Sequence, residues 1–174
     1  DGNPFVSPTL FVSPTDNSYD LYIGMKGKLA NAVSFNVRGG INNEKNKPFF
    51  VSNVYDPSIV EKQGYHYGNS FNVVYDNLNT FSLFGEIKAD FSKKTSLALS
   101  GTYNTFKVSD MQEALNLPQL KVESTLNIDF TEKWYGGMQL FFVGERMDLV
   151  TVQDKTLVIP TFNQQKVTLD SYFD

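Results

Sequence analysis

Apolar and polar residues alternate along most of this chain, with a period of two. From Thr80 to Phe91 one phase reads Phe81, Leu83, Gly85, Ile87, Ala89, Phe91, and the other reads Thr80, Ser82, Phe84, Glu86, Lys88, Asp90. Successive side chains of a strand point to opposite sides, so this is one strand with an apolar and a polar face. The next strand sets Leu97, Leu99, Gly101 and Tyr103 against Ser96, Ala98, Ser100, Thr102 and Asn104. A third sets Leu120, Val122, Leu126, Ile128 and Phe130, interrupted by Ser124, against Lys121, Glu123, Thr125, Asn127 and Asp129. Trp134 to Arg146 alternates less cleanly, because Phe141 and Val143 fall in its polar phase. Upstream, Leu21, Ile23, Met25 and Leu29 oppose Asp20, Tyr22, Lys26 and Lys28; then Val33, Phe35, Val37 and Ile41 oppose Ser34, Asn36 and Arg38. Phe5 to Val12 is a further strand candidate, weakened by Pro8, and Val167 to Phe173 reads as the start of a last strand.

Several of these strands run to about 11–13 residues, where strands of soluble proteins usually have about 5–6. A strand of about 12 residues tilted about 40° covers about 30 Å of height, enough to cross a bilayer core. The connections fall into two sets. Ala30–Ala32, Ser92–Lys94 and Thr131–Lys133 are tight; Asn42 to Asn69, Lys107 to Pro118 and Met147 to Gln165 are long. Short turns on one rim and long loops on the other are the arrangement of outer-membrane barrels. Phe91, Phe130, Trp134 and Tyr135 flank the tight turns and suit an aromatic girdle at the membrane–water interface. The strand leaving Ala30–Ala32 goes up and the one entering Ser92–Lys94 comes down, so an even number of strands lies between them. Phe49–Tyr55 and Phe71–Tyr75 are therefore both wall strands or both part of one external excursion; Pro48, Pro57, Gly64 and Gly68 favour the excursion. Ser109-Asp110-Met111-Gln112 resembles a capping box, predicting one helical turn before Pro118.

The expected fold is therefore all-β: an antiparallel up-and-down meander of about 8–10 strands forming part of a transmembrane outer-membrane β-barrel. Residues 1–174 read as a single barrel segment, a fragment of a larger barrel, with no plug domain.

Composition sharpens this. The mean hydropathy of -0.28 suggests a soluble protein, but two opposed strand faces average to such a value. No run of about 18 apolar residues offers a transmembrane helix. Aromatic residues make up 14% of the chain, as 15 Phe, 9 Tyr and one Trp, and the girdle and the lipid face would take them. With no cysteine there is no disulfide framework, thiolate zinc site or cysteine nucleophile, and the single histidine excludes any site needing two imidazoles. A net charge of -4 makes no electrostatic case for nucleic acid. The start, Asp1-Gly2-Asn3-Pro4, lacks the basic and apolar regions of a signal peptide.

Leu117-Pro118-Gln119-Leu120-Lys121 leads to Asp129-Phe130-Thr131-Glu132-Lys133-Trp134-Tyr135 and on to Leu140-Phe141-Phe142-Val143-Gly144-Glu145-Arg146; upstream stand Phe71-Asn72-Val73-Val74-Tyr75-Asp76 and Phe84-Gly85-Glu86-Ile87. Together they resemble the C-terminal β-barrel portion of Bacteroidetes-type outer-membrane proteins of the TonB-dependent receptor group. These motifs mark strand and turn positions from about Asn3 onward. The resemblance implies a bacterial outer-membrane location, contact with outer-membrane lipid and solute uptake coupled to TonB through an N-terminal plug. Nothing in this chain matches a plug or a TonB box. A surface lipoprotein or another complex subunit is a further partner that the resemblance admits.

The polar phases gather Lys26, Lys28, Arg38, Glu86, Lys88, Asp90, Lys121, Glu123 and Asp129. In a membrane barrel that side is the lumen. Each Lys or Arg facing lipid at midplane would cost about 2–4 kcal/mol against a total stability of about 5–15 kcal/mol. Such a face serves solute or plug contact, or simply stiffens the wall by cross-strand ion pairing, which is the preferred expectation. Glu86, Lys88 and Asp90 mimic a carboxylate pair, but no nucleophile–base signature accompanies them, so no enzyme activity, catalytic residue or cofactor is expected. Tyr65, His66 and Tyr67 are external-loop contact candidates, more simply an exposed loop. Asp148 and Asp154 lack the dense spacing of a calcium loop, and no metal is expected. Gly39-Gly40 and Gly136-Gly137 lack the strand–helix setting of a phosphate cradle. Arg146 reads as a structural or interfacial cation. Two other functions stay open: a barrel that acts as a scaffold or subunit of a cell-surface complex, and a soluble ligand-binding barrel with Leu83, Ile87, Leu97 and Leu99 buried inside.

Overall fold

A computed structural model describes residues 12–52, 71–111, 113–154, 161–170 and 172–174, and every structural statement below concerns those residues. They form nine strands and no helix: β1 (Asp16–Ala30), β2 (Val33–Ser52), β3 (Phe71–Ser92), β4 (Thr95–Val108), β5 (Leu120–Asp129), β6 (Tyr135–Val143), β7 (Arg146–Asp154), β8 (Thr161–Leu169) and β9 (Tyr172–Phe173). Seven of them make one antiparallel sheet in the order β1-β2-β3-β4-β5-β6-β9; β7 and β8 pair only with each other. The sheet is a meander and it is open, with β1 at one edge and β9 at the other.

The three tight connections stand where the alternation places them. Asn31-Ala32 joins β1 to β2, Lys93-Lys94 joins β3 to β4, and residues 130–134 join β5 to β6. In the last, the Thr131 hydroxyl accepts the N–H groups of Lys133 (3.2 Å) and Trp134 (3.1 Å), while the Trp134 carbonyl accepts those of Phe130 (2.9 Å) and Thr131 (3.1 Å). The side chain thus supplies the acceptor that the turning backbone lacks.

The excursion expected between residues 42 and 69 is partly regular. Residues 49–52 and 71–75 are the paired upper ends of β2 and β3, from Phe49↔Val74 to Ser52↔Phe71, and they add no separate wall strand. Pro48 does not break this ladder. β1 stops pairing with β2 at Lys45, so the upper part of β2 is an edge, where a residue without an N–H is tolerated.

Between Glu44 and Lys47 the register slips by one residue, and Asn46 sits there at φ 57, a conformation asparagine tolerates better than most. Its N–H donates to the Asn77 side chain (3.2 Å) and its side-chain amide to the Pro14 carbonyl (3.0 Å). One extra residue reverses the side-chain phase of β2. Below the slip, odd-numbered residues of β2 lie on the apolar face. Above it, Phe49 and Val51 turn to the other side and, with Leu78 and Leu115, form the buried core.

That core is closed by the segment after β4. No helical turn forms there, contrary to the capping-box expectation. Asp76, 4% exposed, performs the capping from a distance: its carboxylate accepts the N–H groups of Asn77, Ser109, Asp110 and Met111 at 2.7–3.2 Å. Leu115 then bridges to Met147, and Asn116 donates its N–H to the Met147 carbonyl (2.7 Å) and its amide to Asp148 (3.1 Å). β7 is thereby tied over the sheet.

Two further expectations change. The strand read as Trp134–Arg146 divides at Gly144-Glu145 into β6 and β7. A side chain at Gly144 would meet the Leu120 carbonyl at 3.0 Å, so the close backbone approach that ends β6 requires glycine. The final strand read as Val167–Phe173 is likewise two pieces, the end of β8 and β9. β9 returns to the sheet through Tyr172↔Val143 and Phe173↔Phe142, and Phe141 and Asp174 exchange backbone hydrogen bonds of 2.7 and 2.8 Å. The Met147–Gln165 connection therefore contains a hairpin inserted between two neighbouring strands. Of the Phe5–Val12 candidate, Val12 is outside any strand and the rest lies outside the described residues.

Burial pushes the Asp76 carboxyl upward, but its backbone donors, Met111 first, outweigh that and hold it below the ordinary aspartate range. A lowered pKa means that the carboxylate stabilises the fold above about pH 4 and loses that contribution as pH falls through the lowered value. Asp76→Asn should destabilise the closing segment by about 1–3 kcal/mol. Amide exchange should then quicken at Ser109, Asp110 and Met111 with Phe81–Ala89 unaffected; equal acceleration at both would show that Asp76 does not act locally.

Candidate functional site

The sheet register carries the apolar phase across six strands, interrupted at Ser124 between Leu99 and Leu140. Met25 pairs with Val37 and Leu21 with Ile41; Phe35 pairs with Ile87 and Ile41 with Phe81. Ile87 pairs with Leu99 and Ala89 with Leu97; then come Leu97↔Leu126, Leu126↔Met138 and Val122↔Phe142. None of the described residues covers this face. Ile23 is 82% exposed, Met25 65%, Ile87 49% and Leu99 50%. A soluble barrel would bury Leu83, Ile87, Leu97 and Leu99; here only Leu97 is half-buried.

The apolar band has two borders. On the turn side stand Phe91, Phe130 and Trp134, all exposed; Tyr135, expected with them, is 83% exposed but stands on the polar face opposite Asp129, because it falls one residue out of phase with Met138 and Phe142. On the opposite side the same phase becomes polar in one row: Tyr19 pairs with Asn43, Asn43 with Asn79 and Asn79 with Lys107. The Asn43 amide donates to Asn79 at 2.6 Å across the strands. Between these borders, Phe81 to Phe91 spans ten residue steps, roughly 33 Å along the strand and about 25 Å of height at a tilt of about 40°. The band is five strand spacings wide, roughly 24 Å, so its area is on the order of 800 Å².

The polar face holds all nine charged residues named from the alternation. Lys26 pairs with Asn36, Asn36 with Glu86, Glu86 with Ser100 and Ser100 with Glu123. Lys28 shares a row with Ser34 and Lys88, and Arg38 with Phe84, Thr102 and Lys121. Asp90 stands opposite Ser96, and Asp129 opposite Tyr135 at the turn end.

Cross-strand ion pairing does not organise this face. Among the described residues the ion pairs are local: Lys88 to Glu86 within β3 (3.5 Å) and Lys47 to Glu44 at the slip in β2 (2.6 Å). What crosses the strands instead is hydroxyl, amide and aromatic contact. The Ser82 hydroxyl donates to Asn104 (2.6 Å) and the Asn42 amide to Asn17 (3.1 Å). The Arg38 guanidinium lies over two rings, 5.6 Å from the centre of Tyr22 and 5.3 Å from that of Phe84. Such cation–π contacts fix the position of a guanidinium and leave N–H donors free.

Around Arg38 the polar face is hollow. A depression of about 310 Å³ is lined by Asp20, Tyr22, Arg38, Asn42, Ser82 and Phe84, among others. Gly40 forms part of its floor, and a side chain there would meet Tyr22 Cβ at 3.2 Å. The Asn42 side-chain oxygen is buried and has no hydrogen-bond partner among the described residues.

The alternation identified Arg38 but not its companions. Phe84 and Tyr22 fall in the polar phase, and an aromatic residue in the polar phase beside an arginine is the signal that marks them. Asp20 and Asn42 carry no such signal, because their convergence depends on the pairing of β1 with β2. Arg146 lies over the Tyr172 ring at 5.4 Å. Asp148 accepts the Leu149 N–H (2.8 Å) together with the Asn116 amide. Tyr65, His66 and Tyr67 lie outside the described residues. No protein-family model, no curated protein and no solved structure matches the chain.

Proposed function

We propose that this chain forms part of the wall of a bacterial outer-membrane β-barrel of the receptor or transporter kind, with its apolar face against lipid and its polar face toward the lumen, through which a solute is taken up. The observation that carries this reading is the broad apolar face of six strands, which none of the described residues covers. Moving one large apolar side chain out of water is worth about 1.5–3 kcal/mol, so about ten of them left in water would forgo roughly 15–30 kcal/mol, more than a domain's whole stability. The band also exceeds the roughly 300–600 Å² of the largest patch on a typical soluble monomer. Its height of about 25 Å, its aromatic border and its asparagine border fit the bilayer dimensions of such barrels.

An open sheet cannot stay in lipid, because the unpaired N–H and C=O groups of its edge strands would find no water. In this reading further strands pair with β1 and β6 and close the wall. The uptake and TonB-coupling half of the proposal rests on the sequence resemblance alone. Loss of solute accumulation in a host lacking TonB would support it, and unchanged accumulation would remove it.

Membrane insertion has its own test. The protein refolded from detergent should float with phosphatidylethanolamine vesicles in a density gradient. Ile87→Lys, near the middle of the band, should cost about 2–4 kcal/mol of stability in those vesicles, while Glu86→Gln, the adjacent residue on the other face, should cost much less. A protein that folds in plain buffer and stays at the bottom of the gradient would overturn the reading.

A further inference from the structure

We infer that the depression around Arg38 is a binding site for a short zwitterionic peptide, with Arg38 taking the carboxylate and Asp20 the ammonium. The inference deepens the proposed function, since it rests on reading the polar face as the inner wall of a solute pathway.

The charge at this place is unusual for the face. Arg38 has no carboxylate partner among the described residues; two aromatic rings hold it instead. A guanidinium paired with a carboxylate spends its paired N–H donors on it. One held by ring faces keeps its fork available for a planar carboxylate. Asp20 lines the same depression, is exposed, and has no ion pair among the described residues. The site therefore offers one free cation and one free anion.

Their spacing selects the ligand. Arg38 pairs with Gly24, two same-face residues beyond Asp20 on β1 and about 13 Å along the strand, and its guanidinium leans over the ring of Tyr22, one same-face residue beyond Asp20 and about 7 Å along. The guanidinium thus stands between one and two strand repeats from the level of Asp20, which leaves room for a ligand and a hydrogen bond of about 3 Å at each end. A single amino acid holds its ammonium and carboxylate too close together for this. An extended dipeptide, at about 3.3–3.6 Å per residue, holds them about 6–7 Å apart. The floor stays low because Gly40 has no side chain, and about 310 Å³ of space accommodates two small residues.

The test uses the protein in detergent micelles and L-alanyl-L-alanine as the probe, followed by titration calorimetry. Its acetylated form lacks the ammonium and its C-terminal amide lacks the carboxylate. The free dipeptide should bind at least tenfold more tightly than either blocked form. Arg38→Gln should abolish the preference for the free carboxylate and keep that for the free amine; Asp20→Asn should do the reverse. Equal binding of all three probes, tight binding of one blocked form, or no heat from any of them would overturn the site, and these comparisons on the unmutated protein do not depend on any variant folding. Flotation separates the two proposals. A protein that floats but does not discriminate the probes loses the site alone, while one that discriminates them without floating keeps the site and loses the membrane reading.

Discussion

Register between neighbouring strands is the constraint on which the rest depends. Side chains of a strand alternate between two faces, so a slip of one residue along any ladder would exchange the faces of everything beyond it. From Leu21↔Ile41 through Ile41↔Phe81 to Leu126↔Met138 the pairing keeps apolar against apolar. A slip between β2 and β3 would set Lys88 on the side of Ile23 and Arg38 on the side of Leu99. The separation of charge from apolar surface thus selects one register, and the tight turns at Asn31-Ala32 and Lys93-Lys94 hold it at one end.

The same constraint explains the exchange of faces within β2. At Asn46 a single extra residue turns the upper part of β2 over, and Phe49 and Val51 meet Leu78 beneath the segment that follows β4. A core on the polar side of the sheet needs a cover, and Asp76 organises that cover by accepting the N–H groups of three of its residues. The inserted hairpin β7–β8 is tied down through Leu115 and Asn116. The long-loop end is therefore packed as a small soluble-type core, whereas the middle of the sheet has none. Along its strands the sheet thus passes from a covered end to a middle that none of the described residues covers.

On the polar face, charge is less paired than its abundance suggests. Most of its lysines and acids stand opposite serine, threonine or asparagine, which keeps them solvated and apart. Arg38 is the exception, because it lies over two aromatic rings while staying exposed. A hollow at that point follows from glycine in the floor and from the two strands that bring Asp20 and Asn42 alongside.

Much of this was readable without coordinates. Period-two alternation determined that the chain is all-β, which residues share a face and where the tight turns lie, because a strand's side-chain direction is a local property of its backbone. The same alternation identified the nine charged residues of the polar face and, at the turn border, Phe91, Phe130 and Trp134, though not the side on which Tyr135 stands. Only the tertiary structure decided what depends on partners distant in sequence. Phe49 and Phe71 belong to paired strand ends because β2 and β3 continue to bond beyond residue 44. The residues after Lys107 form no helical turn and instead give their N–H groups to Asp76, more than thirty positions earlier. Gly144 ends a strand because Leu120 approaches it. Arg38 gains its site only when β1 and β3 bring Tyr22 and Phe84 to either side of it. Alternation reports the face on which a residue stands; the register across strands determines what it meets there.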